Sequence, residues 1–231
     1  MSSVSPPPRP EEDTAPSVGP RQRVADARRV IYRTAILDAA EKEFAQHGYD
    51  ATKVQAIART AAVSLATLYA TFPKKWDIYR ALHQERLDAL LRDVGTRVLG
   101  ARTAFERLRG GLEGYMRFHM EHPDFLRVQL KERVPWGTTD QLRSPEQTRA
   151  WEAGLQMMIA AFAEGIRSGV FVDDDPEVCA RTATAMSQVR LASWVDREMA
   201  QDKDAVARAA MLQFVRTFVR PERVAELAAL V

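Results

Sequence analysis

From Thr34 onward the apolar residues of this chain recur every three or four positions, and nowhere does apolar/polar alternation last long enough to build a half-buried strand. That periodicity restricts the chain to helices packed on helices, an all-α fold. Ile36, Ala40 and Phe44, with Leu37 beside them, give one face to a helix that starts near Thr34 and stops at Gly48. Thr52 has the residue type and place of an N-cap for a short helix reaching about Ala61. A second short helix runs from Ser64 to about Phe72, and Pro73 closes it. Further helices are expected over 74–99, 103–121 and 124–132, with Pro123 forcing the last break. After a loop, Ser144-Pro145-Glu146-Gln147 forms a capping box with proline in the first helical position, which starts a helix to about Ser168. Asp175-Pro176-Glu177 opens another in the same manner, to about Met199. The last helix spans 204–219, with Pro221 as its stop.

Composition narrows the function classes. Residues 1–20 are rich in Pro and Ser and read as a disordered leader, with no apolar core of the kind a signal peptide needs. No uninterrupted apolar run approaches the roughly 18 residues that span a bilayer, so no membrane association and a cytoplasmic, nucleoid-associated location are expected. The single cysteine, Cys179, excludes an internal disulfide and a cysteine-based zinc site, and reads as a small buried apolar residue. Net charge is only +2, but its distribution is uneven: from Arg21 to Arg80 eleven Lys and Arg face six Asp and Glu, while the remainder is slightly acidic. A basic first third suits a polyanionic partner.

The stretch from Val54 to Phe72, VQAIARTAAVSLATLYATF, carries the functional signal. Two short helices are joined by too few residues for anything but a tight turn. Ala58 is small where the helices cross, Ala62 sits in the turn, and Val63 and Leu68 face inward with Ile57, which is helix-turn-helix spacing. Nine helical residues span about 13 Å, comparable with the roughly 12 Å width of the B-DNA major groove. Hydroxyls and small apolar groups suit base edges and thymine methyls, so Ser64, Leu65, Ala66 and Thr67 are the candidate base readers. Thr52, Tyr69, Thr71 and Lys75 complete the candidate DNA-binding set, with Tyr69, Thr71 and Lys75 as backbone positioners and Lys75 placed at a helix start to hold a phosphate. The arginines between Arg21 and Arg33 are long enough to reach an adjacent groove, and an untethered arm that does nothing specific is an equal alternative.

The residues Ile36-Leu37, Ala40, Phe44, Gly48-Tyr49, Thr52, Ile57-Ala58, Ala62-Val63-Ser64, Thr67-Leu68-Tyr69, Phe72 and Lys75 resemble the N-terminal domain of the tetracycline-repressor-like (TetR) family of bacterial transcriptional regulators. The resemblance covers about residues 30–90. It implies a helix-turn-helix DNA-binding domain over 21–90, followed over 91–231 by a helical domain for effector binding and dimerisation. It further implies a homodimer on a palindromic operator of double-stranded DNA, repression of transcription, and release by a small-molecule effector. Two positions depart from the family pattern. Ala62 stands where glycine is usual, since the turn residue tends to be left-handed. Trp76 follows the lysine where an acidic residue is common, and is expected to pack between the two domains.

The C-terminal part shows no convergent set of catalytic groups, so no enzyme and no cofactor are expected. His119 and His122 at a spacing of three lack further ligands, and the acidic run Asp173-Asp174-Asp175 lacks the rest of a calcium loop and reads as a helix cap. Trp151, Leu155, Met158 and Phe162 make one apolar helix face, which core packing explains by default. With Met116, Met120, Phe125 and Trp136 they are also the candidate lining of a site for an apolar or aromatic ligand. Thr182, Ala185, Met186, Val189 and Ser193, and Ala207, Met211, Phe214 and Phe218, lie on the two helices that the resemblance assigns to the dimer bundle. Two alternatives stay open: a small-molecule binding protein or enzyme containing a helical hairpin, and a regulator of this fold without a small effector.

Overall fold

The computed structural model describes residues 19–131 and 145–231, and ten helices organise them. In chain order these are α1 (Pro20–Ala51), α2 (Val54–Thr60), α3 (Leu65–Thr71), α4 (Lys75–Val98), α5 (Ala104–Glu121), α6 (Pro123–Lys131), α7 (Pro145–Arg167), α8 (Pro176–Asp196), α9 (Lys203–Phe218) and α10 (Pro221–Ala228). The leader over 1–18 and Ser144 of the expected capping box lie outside the described residues.

Local chemistry explains most of the boundaries. Thr103 and Glu106 cap α5 reciprocally, each side chain accepting from the other's backbone N–H. Asp175 caps α8 by accepting from the N–H groups of Glu177 and Val178, the role expected of the acidic run. Three expectations need correction. The first helix starts at Pro20, fourteen residues ahead of Thr34, and its regular part ends at Gly48, whose φ of 79° no other residue type adopts cheaply. Thr52 does not cap α2: Lys53 holds the N-cap position, while the Thr52 hydroxyl turns back to the Gly48 carbonyl at 2.7 Å. Pro221 starts α10 instead of closing the chain, because proline that stops one helix is equally suited to the first turn of the next.

Two cores result. The first gathers Ile36, Leu37, Ala40 and Phe44 of α1, Ile57 and Ala58 of α2, Leu68 of α3, and Ile78, Tyr79 and Leu82 of α4, together with Val128 from α6. Glu41 and Arg86 add a largely buried ion pair, Arg86 Nε donating at 2.8 Å, that ties α1 to α4. The second core is built from α5, α7, α8 and α9 around Phe162, Phe171, Phe214 and Phe218, whose rings stand 5.2 to 6.0 Å apart. Each such ring contributes about 1.5–3 kcal/mol through burial. Phe171 also pairs with Val219 in an isolated antiparallel bridge that closes the α7–α8 connection onto the end of α9. The 24-residue α4 joins the two cores and lies close against α5, where Gly110 and Gly114 leave room: a Cβ on Gly110 would stand 3.0 Å from the Arg97 carbonyl.

Candidate nucleic-acid interface

The turn between α2 and α3 fixes how α3 is presented. The Ala62 N–H donates to the Arg59 carbonyl at 3.1 Å and the Val63 N–H to the Ala58 carbonyl at 3.0 Å, the paired bonds of a Schellman turn. Such a turn needs a left-handed residue at its apex, and Ala62 adopts φ 53°, the conformation anticipated from its departure from glycine. Ser64 then caps α3, accepting from the Thr67 N–H at 3.0 Å. Leu68 is fully buried and pins the helix to α1 and α2, leaving Ser64, Leu65, Ala66, Tyr69 and Ala70 exposed along the opposite face. Leu65 and Tyr69 are 38% and 44% exposed, high values for large side chains on a helix whose other side is core.

The hydroxyls are less free than the residue types suggested. Ser64 and Thr67 bond to each other at 2.8 Å, so one proton of the pair is left for an outside acceptor. Thr71 donates its only proton to the Thr67 carbonyl at 2.9 Å. Thr52 is buried, with 3% exposure, and its side chain serves the end of α1 instead of facing outward. Lys75 is likewise turned inward. Its ammonium donates to the carbonyls of Tyr49 at 2.7 Å, Thr52 at 3.0 Å and Asp50 at 3.3 Å, and lies 4.4 Å from the Tyr49 ring centre. Three donors meet three carbonyls that the break at Gly48 leaves without helical partners, so the lysine holds the end of α1 and has no proton to spare for a phosphate.

Trp76, half-buried, packs against the first core, stacked on Tyr79 at 5.3 Å and edge-on to Tyr49 at 6.2 Å, and not between the domains as expected. The acidic residue expected at the start of α4 is present one position later: Asp77 accepts from the Lys74 N–H at 3.0 Å. The exposed cations around α3 are ones that motif reading passed over, Lys53 before α2, Arg59 at the turn and Lys74 just past α3. Their signal was simply basic residues at the ends of the two short helices.

The candidate ligand residues meet a filled interior. Met116, Met120 and Phe162 are completely buried, Leu155 nearly so, and Met158 packs against them while its sulfur lies 3.8 Å from the Thr184 hydroxyl. Trp151 is half-buried on α7, and Trp136 lies outside the described residues. Phe125 is buried between the rings of His83 at 5.2 Å and His119 at 6.3 Å. Two cavities among the described residues are lined by none of these side chains: one of about 10 Å³ beside Met186, Met211 and Phe214, and an open groove of about 190 Å³ between Arg190, Arg197 and Ala205. Ala207, Met211, Phe214 and Phe218 of α9 also turn into the core, so they are not free to form an interface; on α8, Thr182 and Val189 are exposed and Ala185, Met186 and Ser193 half-exposed.

His119 is fully enclosed, with Nδ1 2.8 Å from the Tyr115 carbonyl and Nε2 2.9 Å from the Gln129 side-chain oxygen; burial pushes its pKa down to about 4. Among the described residues no three or more His, Cys, Asp or Glu gather as a metal site would require. A junction that sequence reading missed joins the two cores: Val128 of α6 enters the first core and Lys131 donates to the Gln46 carbonyl of α1 at 3.0 Å.

Comparison with known proteins places this geometry. Residues 36–82 match the family model described as bacterial regulatory proteins, tetR family, and residues 101–218, about half of the chain, match the tetracyclin repressor-like C-terminal domain. The HTH-type transcriptional regulator YhgD of Bacillus subtilis is 24% identical over 173 residues, covering 74% of this chain and 88% of YhgD. Among solved structures, the ketosteroid transcriptional regulator KstR2 of Mycobacterium tuberculosis is similar with a TM-score of 0.70 at 20% identity, over 81% of this chain and 95% of that one. The TetR family transcriptional regulator PfmR from Thermus thermophilus is similar with a TM-score of 0.65 at 26% identity, over 80% and 99%. These relatives are transcriptional regulators, not enzymes. With a helix-turn-helix whose α3 is presented on a Schellman turn, a helical domain behind it, and a family match across both, the chain belongs to the tetR family of bacterial regulatory proteins.

Proposed function

We propose that this regulator is a repressor that holds a palindromic operator as a homodimer, through a DNA-binding domain over 21–90, and is released when a small apolar or aromatic ligand enters the domain over 91–231. The observation that carries the DNA reading is the outer face of α3. Its exposed Leu65, Ala66, Tyr69 and Ala70 are uncommitted, the two alanines leaving room beside the two larger side chains, while Leu68 locks the opposite side, which suits close approach to base edges and thymine methyls. Exposed Lys53, Arg59 and Lys74 supply phosphate contacts in the place of Lys75. For dimerisation, Val178, Thr182, Ala185 and Val189 recur at four, three and four along α8, with Val178 54% and Val189 63% exposed, a small apolar stripe with no partner element among the described residues.

Ligand entry into the filled core must displace side chains, and the α4–α5 packing and the α6–α1 junction carry any such shift toward α3. A ligand preference of about 1–3 kcal/mol for the non-binding arrangement corresponds to a 5- to 150-fold change in operator affinity. The packing of Met116, Met120 and Phe162 also favours a second reading, a regulator of the same fold with no small effector. The DNA reading is tested by selecting duplexes from a random-sequence pool with the purified chain. A two-fold symmetric consensus, its half-sites about one helical turn of 10–10.5 bp or a multiple apart, is the expected result; absence of enrichment overturns the proposal. A thermal-shift screen with apolar and aromatic compounds separates the two effector readings, since a ligand that binds the folded state raises the melting temperature.

A further inference from the structure

We infer that the N-terminal overhang of α1 is a second DNA-binding element, a rigid cationic helix that holds the phosphates of the duplex flanking the sequence read by α3; this rests on the reading that α3 meets DNA. Every side chain from Arg21 to Thr34 is exposed, and the first half-buried residue of α1 is Ala35. Fourteen residues of helix, about 21 Å, therefore stand outside the first core. A helix this short is marginal in water by itself; the folded remainder of α1 nucleates it.

The overhang carries Arg21, Arg23, Arg28, Arg29 and Arg33 against one carboxylate, Asp26. Asp26 is already occupied, accepting from Gln22 at 3.1 Å and lying 4.0 Å from Arg29. Among the described residues no carboxylate pairs with Arg21, Arg23 or Arg28. Its apolar side is narrow, Val24, Ala27 and Ile31 at spacings of three and four with Arg28 flanking them, while Val30 lies about 100° round the axis from Ile31, and Tyr32 the same angle the other way. Charge, not an apolar face, is the property the rod presents, and duplex DNA offers one negative charge per roughly 1.7 Å of axis.

Register directs this charge. Arg29 and Arg33 continue the stripe that becomes Ile36, Leu37, Ala40 and Phe44 inside the core, so the side of α1 that buries apolar residues against α3 carries arginine beyond the edge of the domain. The Arg33 guanidinium already lies 5.2 Å above the ring of Phe72, the residue that ends α3. The overhang thus leaves the domain beside the end of the recognition helix, on the side toward it. Because its backbone is already ordered, binding costs less conformational entropy than an unstructured arm would lose.

The test uses the full chain and a mixed-sequence duplex of about 40 bp, roughly four helical turns, on which binding is dominated by phosphate contacts. Fluorescence anisotropy over a salt series compares the wild type with the combined variant Arg21→Gln, Arg23→Gln, Arg28→Gln and Arg29→Gln, and with its Arg→Lys counterpart. Glutamine keeps helix propensity and touches no core, so the melting temperature reports an intact fold. The slope of log K against log salt is expected to become shallower by about 0.9 for each phosphate that is no longer neutralised, while the lysine variant keeps the wild-type slope. An unchanged slope in the glutamine variant overturns the inference and leaves the role of α3 standing; equal losses in both variants overturn it as well. A change confined to sedimentation behaviour reassigns the overhang to a protein partner. A wild type that binds no duplex instead overturns the DNA reading itself.

Discussion

At φ 53° the Cβ of Ala62 crowds the neighbouring backbone, at a cost of about 1–2 kcal/mol that glycine avoids. Ala62→Gly gives back roughly 0.4–1 kcal/mol through the freer unfolded chain, so a net gain of up to about 1.6 kcal/mol is expected in thermal melting. A clear loss would contradict the left-handed turn. Lys75 offers a sharper contrast between two roles. With its ammonium on three carbonyls at the end of α1, Lys75→Met, which keeps the stem beside Tyr49, is expected to lower stability by about 1–3 kcal/mol. If stability were unchanged and the salt dependence of DNA binding became shallower by about 0.9 per half-site, the lysine would be a phosphate ligand after all. Residue type alone did not separate these roles. Lysine at a helix start suits a phosphate and an upstream helix end equally well, and only the break at Gly48 decides which acceptor lies within reach.

The buried ring of His119 lies where α5 meets α6, the helix that also touches α1. Its folded-state pKa of about 4 lies below the ordinary 6.5 because enclosure disfavours the charged form. Between those values the unfolded chain binds a proton that the folded chain does not, so stability is full above pH 6.5 and falls on acidification toward pH 4 by about 1.4 kcal/mol per unit. Denaturant titrations across that window are expected to show the slope in the wild type and a flatter profile in His119→Leu; identical profiles would remove His119 from the pH dependence. Elements with a cap or a stripe were legible in the sequence, as Asp175 and the Ala58 to Leu68 spacing show. The overhang of α1 was not, because residues 21–34 bury nothing and periodicity reports only burial. α10 was hidden behind Pro221, whose stop and start meanings look the same on paper.

Across the whole molecule, the α2–turn–α3 hairpin was legible in the sequence because a helix crossing, a turn and a buried anchor each demand a particular side-chain size, whereas the inward roles of Thr52, Thr71 and Lys75 were not. A ligand site has no such size rule, since a stripe such as Leu155, Met158 and Phe162 has one pattern whether it lines a cavity or fills a core; here Leu155 and Phe162 are buried in the second core with Met158 packed against it. The residues put forward for a dimer bundle lie on the exposed side of α8 but on the inner side of α9, for the same reason. Val189→Glu places an unpaired charge in the exposed α8 stripe, where burial on association would cost several kcal/mol. Sedimentation is expected to show monomers for this variant and dimers for the wild type, and a variant that stays dimeric would move the interface elsewhere. The central claim is that the outer face of α3 reads DNA. Ala66 is exposed on that face, so Ala66→Glu leaves the fold intact while directing a negative charge at the groove. Titrating the duplex recovered by selection with both proteins is expected to show a loss of roughly 10- to 100-fold in affinity, the equivalent of about 1–3 kcal/mol. Equal affinity of the two proteins for that duplex would contradict the assignment of α3 as the reading helix.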